Sequence, residues 1–177
     1  MNAPAKPAEA AGSLSGAAIL RAVKAAGIEY VLSVPDLHTA KGLLAPISTD
    51  KDFKLVRVCK EDETLGIAAG LLYGDKRSLI LIQYTGFLYA MNAIRAVACE
   101  QQLPMVMMIG LLSKEVGVAP QDSKRFGLRI VEPILDVMGI ERHYIDLDAD
   151  IAAITPAIER AYAQSRPVAF LIGRRPS

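Results

Sequence analysis

A chain of 177 residues, 52% of them hydrophobic, is long enough to build one domain around a substantial core and too apolar for a disordered protein. Twenty Lys and Arg against 19 Asp and Glu leave a formal net charge of +1, both signs are mixed along the chain, Trp is absent and aromatics are 6%. This excludes a basic nucleic-acid surface and a base-stacking platform. Cys59, Cys99, His38 and His143 stand apart, with no metal-ligand spacing, so no metal site is expected. Thiols in apolar segments fit a reducing, cytoplasmic setting and are expected to be buried and inert.

Residues 1–13, rich in Ala and Pro, read as a disordered leader without the apolar core of a signal peptide, and 14–177 as a single domain. Ser15 can cap a helix running to about Ala26, with Ile19, Leu20 and Val23 on one face and Gly27 ending it. Tyr30 to Val34 is a buried strand. Leu37 to Leu44 reads as a helix stopped near Pro46. Leu55 to Val58 is a second strand and Glu61 to Tyr73 the helix after it. Ser78 to Gln83 is an uninterrupted apolar strand, Leu88 to Gln101 a helix, and Met105 to Gly110 a fourth strand. The apolar run from Leu103 to Leu112 is too short to span a bilayer.

From Leu111 to about Phe126 the chain is irregular, and a loop of that length is usually functional. A helix at Ile130 to Met138, a strand at His143 to Ile145, a helix at Ile151 to Ala163 and a strand at Val168 to Ile172 complete the order. Apolar strands without polar alternation, separated by helices, predict an α/β fold: a doubly wound six-stranded parallel sheet with helices on both faces.

In such a sheet the loops leaving the carboxyl ends of the strands form the ligand rim. Candidate residues fall there: Pro35, Asp36 and His38 after the first strand, Glu61 after the second, Gln83, Thr85 and Gly86 after the third, and Gln121 in the long loop. Taken alone, Glu61, Asp62 and Glu63 complement a helix N-terminus, and Asp36 or Thr85 can cap the helix that follows.

The longer pattern adds to this. Glu61 is followed nine residues later by Gly70, with Gly66-Ile67-Ala68-Ala69 between, then Leu71-Leu72-Tyr73-Gly74-Asp75-Lys76 and an apolar strand. Together with Val34-Pro35-Asp36, Gln83-Tyr84-Thr85-Gly86 and Pro120-Gln121, this resembles the pyrimidine-binding domain of thiamine-diphosphate enzymes. The likeness is to the α subunit of sulfopyruvate decarboxylase and the N-terminal domain of phosphonopyruvate decarboxylase, over about residues 14 to 173. The resemblance implies that Glu61 hydrogen-bonds the cofactor's pyrimidine ring and protonates its ring nitrogen. It implies cofactor contacts from Pro35, Gln83, Thr85 and Gly86, acid–base roles for Asp36 and His38 facing a 2-oxo acid, and substrate contacts from His38 and Gln121. Glu63 is the alternative to Glu61.

The chain departs from that family in places. Leu112-Ser113 stands where decarboxylases of acidic 2-oxo acids carry Arg-Gly, Tyr84-Thr85 replaces Asn-Ser, and Leu88 and Tyr89 replace a glycine and an asparagine. The Gly-Asp-Gly and paired asparagines that hold the diphosphate through Mg2+ do not occur; Gly74-Asp75-Lys76 reads as a helix-ending turn. The resemblance therefore implies half of a split enzyme. A β subunit would carry the diphosphate and Mg2+ site, in a homodimer or a higher hetero-oligomer. A non-catalytic paralogue that binds a ligand or partner, and a carboligase half-enzyme, stay open.

Overall fold

The computed structural model describes residues 12–177; most of the leader read over residues 1–13 lies outside the described residues. Within it, Ser13 Oγ donates to Asp148 Oδ2 at 3.1 Å. Helix α1 (Gly16–Ala25) is capped by the Ser15 hydroxyl and ends before Gly27, whose φ of +73° suits a residue without a side chain. Strand β1 (Tyr30–Ser33) follows, then a π-helical turn (Ala40–Leu44) running into α2 (Ala45–Thr49). Pro46 does not stop a helix here: it stands in the first turn of α2, where its missing N–H costs nothing.

The next elements are β2 (Lys54–Arg57), α3 (Glu61–Tyr73) and β3 (Ser78–Gln83). Helix α4 (Tyr84–Tyr89) begins at once after β3, four residues before the start expected from the sequence; after Ala90 a short α5 (Met91–Ala93) passes into a π-helical stretch (Ile94–Glu100). Strand β4 (Val106–Gly110), a 3-10 turn (Pro120–Asp122), α6 (Phe126–Val137), β5 (Glu141–Ile145), α7 (Ile154–Gln164) and β6 (Val168–Ile172) follow.

All six strands pair in parallel, in the order β2-β1-β3-β4-β6-β5. Their apolar character follows from this position: β3, β4 and β6 are covered on both faces, and the five residues of β6 are all buried. One core layer joins the sheet to α1, α2 and α7 through residues such as Ile19, Val23, Leu43, Ile47, Ile154 and Ile158. The other joins it to α3, α4, α5 and α6 through Leu65, Ala68, Phe87, Ile94, Leu128 and Leu135. Among the described residues no helix is long and apolar enough to cross a membrane.

Candidate active site

The chain leaves β1 for the outer strand β2 and returns on the other side of β1 as β3. That reversal opens a crevice at the carboxyl ends of β1 and β3, where an open α/β sheet binds ligands. Helix α3 packs on both strands and starts at this edge with Glu61.

Three acids open α3, and the structure gives them different work. Glu63 turns back: its Oε2 accepts from the backbone N–H of Cys59 at 3.0 Å and of Lys60 at 3.2 Å, closing the helix end. Asp62 is half-buried, and its Oδ1 has no hydrogen-bond partner among the described residues. The backbone carbonyl of Glu61 accepts from Thr64 Oγ1 at 2.5 Å, which fixes the first turn. The Glu61 side chain is half-buried, and nothing among the described residues hydrogen-bonds its carboxylate. It occupies the space that a side chain at position 86 would need. A β-carbon at position 86 would run into Glu61 Cγ and sit 2.5 Å from Oε1 and 2.7 Å from Cδ, so glycine leaves room for the acid where it stands. Residues 61 and 86, separated by a helix and a strand, thus meet at the crevice.

The other candidates are placed as follows. Gln83 ends β3 at half burial and accepts from the exposed Thr85 Oγ1 at 2.8 Å. Tyr84 lays its ring against α6: a β-carbon at Gly127 would be 2.8 Å from Cε2. Pro35 is exposed. Asp36 is 9% exposed, and both its oxygens are engaged. Oδ1 accepts from the N–H groups of His38 (2.5 Å) and Thr39 (2.9 Å), and Oδ2 from Thr39 Oγ1 (2.5 Å). It therefore closes the turn that leads into the π-helical segment.

His38 is 5% exposed rather than a solvated loop residue, and packs against Gly110 at the end of β4. Its Nε2 lies 2.9 Å from the carbonyl oxygen of Ile172 at the end of β6; a carbonyl only accepts, so Nε2 carries the proton. Nδ1 is then a bare, buried lone pair with no partner among the described residues. Burial holds the imidazole pKa below its usual 6.5, against the opposing pull of the Asp36 charge.

Gln121 is exposed and lines a separate cleft of about 390 Å³ with Lys114, Glu132, Tyr144 and Asp146, at the β4, β6 and β5 end of the sheet. Burial lowers the Lys114 pKa and raises that of Tyr144, whose hydroxyl points at Asp146 Oδ1 at 3.4 Å. Sequence reasoning reached the long loop and Gln121 but missed Glu132 on α6 and Tyr144 and Asp146 at the end of β5, which join the loop only in the fold and share no local motif with it. Cys59 is exposed, against the expectation of two buried thiols, because it sits on the loop leaving edge strand β2. Among the described residues no group of three or more His, Cys, Asp or Glu is placed to hold a metal ion.

No family model matches the chain. It is similar to the sulfopyruvate decarboxylase subunit alpha of Methanocaldococcus jannaschii, 34% identical over 92 residues, or 52% of this chain and 54% of the relative. It is also similar to the subunits of the same name from Methanococcus maripaludis (28% over 92 residues; 52% and 54%) and Methanothermobacter thermautotrophicus (28% over 95 residues; 54% and 57%). The chain thus spans about half the length of the curated relatives it matches. The likeness read from the motifs is found again in these relatives. In three dimensions the chain resembles benzoylformate decarboxylase from Polynucleobacter necessarius, with a TM-score of 0.66 and 17% identity over 90% of this chain and 30% of that one. At that identity the likeness shows the fold: an α/β architecture with a six-stranded parallel sheet.

Proposed function

We propose that the chain is the pyrimidine-binding α subunit of a split thiamine-diphosphate-dependent 2-oxo acid decarboxylase. One observation carries the reading. A carboxylate at the topological switch point, Glu61, is half-buried, has no hydrogen-bond partner among the described residues, and is held over a glycine that leaves it space. An acid in that state suits a ring nitrogen that must be hydrogen-bonded and protonated, and the chemistry of the donor set fits the cofactor. When bound, thiamine diphosphate supplies a nucleophilic carbon and takes up the electrons released with CO2.

The chain's own residues would act around that centre. Glu61 would hold a proton at its carboxyl oxygen, as the acid–base group for a ring nitrogen of the bound cofactor. Glu63 fixes the helix end that presents Glu61. Gly86 keeps the space for the acid, while Pro35, Gln83 and Thr85 border the crevice. Asp36 sets the turn that carries His38, whose Nδ1 remains available as an acceptor. The diphosphate and Mg2+ are assigned to a β subunit, because the Gly-Asp-Gly sequence that holds them does not occur here. The naming of the relatives as alpha subunits supports the existence of a partner subunit.

The test is Glu61→Gln in the complex with the partner subunit. The amide keeps the size but cannot give up a carboxylic proton, so 2-oxo acid turnover should fall by roughly 10²–10⁴-fold with the melting temperature unchanged. Glu63→Gln retains an acceptor oxygen for Cys59 and Lys60 and should keep turnover near wild type. Near-wild-type activity in Glu61→Gln would sink the assignment. Tight, magnesium-dependent binding of thiamine diphosphate to this chain alone would overturn the split-enzyme reading.

A further inference from the structure

Helix α4 is six residues long, too short to hold its own shape, and Tyr84, Thr85 and Gly86 in its first turn are poor helix formers. Its position is therefore set by what packs on it, and α3 and α6 both do. Residues two apart on a helix point about 200° apart, so Tyr84 and Gly86 face nearly opposite ways. Against Gly86 stands Glu61 from the start of α3; against Tyr84 stands Gly127, in the first turn of α6. The opening turn of α4 is thus gripped between the acid and α6.

Both grips are seats made by glycine. Neither Gly86 nor Gly127 has a left-handed backbone, and alanine is the better helix former, so space is what each glycine provides. A β-carbon at position 127 would lie 2.8 Å from Tyr84 Cε2 and 3.6 Å from Cδ2 and Cζ. By contrast, a β-carbon at Gly66 or Gly70 of α3 would meet nothing within 4 Å. The seat on α6 is firm. Leu128, Val131 and Leu135 are fully buried, and Arg129 donates to the carbonyls of Ser123 (2.9 Å) and Lys124 (3.2 Å). Phe87, fully buried, roots α4 in the same core layer. A packed interior of this kind transmits a displacement instead of absorbing it. Among the described residues nothing hydrogen-bonds the Tyr84 hydroxyl, so the ring is what the seat holds.

We infer that Tyr84 is a positioning residue for Glu61: its ring, seated on Gly127, sets the tilt of α4 and with it the wall at Gly86 against which the acid rests. The inference rests on the decarboxylase reading above. Tyr84 acts through Gly86 and Glu61.

The experiment compares Gly127→Ala, Tyr84→Ala, Tyr84→Phe and Glu61→Gln. Turnover is read in the complex with the partner subunit, well below each melting temperature, on whichever of sulfopyruvate or benzoylformate the wild type consumes. The chain alone is studied by 13C NMR of its glutamate carboxyls, with Glu61→Gln assigning the Glu61 resonance; this reading needs no substrate. Gly127→Ala should press the ring and α4 toward the acid, move the Glu61 resonance and lower kcat by about 10–10²-fold. Tyr84→Ala, which empties the seat, should do the same and carries the test if Gly127→Ala does not fold. Tyr84→Phe, which keeps the ring, should restore both readings. Added to Glu61→Gln, Gly127→Ala should cost no further turnover, because the group it displaces is already lost. Full turnover in Gly127→Ala and Tyr84→Ala, or an unmoved Glu61 resonance in both, would overturn the inference and leave the decarboxylase reading to stand on the loss in Glu61→Gln. An equal loss from Gly127→Ala with and without Glu61 would overturn it too, since the effect would then be general packing. Wild-type turnover in Glu61→Gln would overturn both readings together.

Discussion

Replacing Gly86 by alanine separates stability from function at this site. Gly86 sits inside α4 with ordinary helical backbone, so alanine should favour the helix by about 0.5–1 kcal/mol. Against this, the new β-carbon would lie 2.5 Å from Glu61 Oε1 and 2.7 Å from Cδ. Ordinary contact needs about 3.5–4 Å, so the acid must retreat by roughly 1 Å. It can do so by turning about its side-chain bonds, because the clashing atoms, Cγ included, all belong to one flexible side chain whose carboxylate has no hydrogen bond to break among the described residues. Turning it off its rotamer costs about 0.5–1.5 kcal/mol. The two effects nearly cancel, and the melting temperature should move by no more than about 2–4 °C. Activity should behave otherwise: a misplacement of about 1 Å at a reacting group costs on the order of 10²-fold. The assay is thermal unfolding of the chain beside 2-oxo acid turnover of the complex. Full activity in a stable Gly86→Ala would refute the idea that this contact places Glu61, and a loss of more than about 3 kcal/mol of stability would refute the claim that the acid is free to move.

Two further outcomes follow from the turn after β1. Asp36→Ala strips the acceptor from three donors in a buried turn, so urea unfolding should report a loss of about 1–3 kcal/mol; Asp36→Asn, which retains one oxygen, should lose less. For His38 the folded pKa lies below the unfolded 6.5, so the unfolded chain takes the proton first as pH falls. Stability from this group is therefore level above about pH 6.5 and declines from there toward the folded pKa. Thermal melts at about pH 7.5 and pH 5.5 should show wild type losing more than His38→Gln; equal losses would show that the imidazole is not held neutral.

The strands were legible because burial on both faces leaves an unmistakable run of apolar residues, as in Ser78–Ile82 and Val168–Ile172. The start of α4 was not. Tyr84, Thr85 and Gly86 are poor helix formers, and local preference points to a loop; the packing of Tyr84 on Gly127 and of Glu61 on Gly86 overrides it. Pro46 misleads for a similar reason, since the π-helical turn before it sets the path and leaves proline in a first turn. At the site, the position of Glu61 could be read from strand, acid and helix in succession. The preference for Glu61 over Glu63 rests in the sequence on the nine-residue spacing to Gly70 alone; the structure separates the two physically, because Glu63 turns back to cap the helix while Glu61 lies against Gly86. The burial of His38 depends on β4 and β6, more than 70 and 130 residues further along the chain.

The place of β6 between β4 and β5 has a consequence for biosynthesis. Strand β4 presents five buried apolar or glycine residues, and one of its two edges is covered only by β6. That strand is translated about 60 residues later, a delay of roughly 3–12 s at about 5–20 residues per second. Throughout that interval the nascent chain carries an open, hydrophobic strand edge, the kind that pairs with neighbouring chains. Strand β5 cannot relieve it, because its own parallel partner is β6. The sheet is therefore completed only after β6 emerges, and yield in a foreign host should depend on chaperone supply and growth temperature as well as on the stability of the finished molecule.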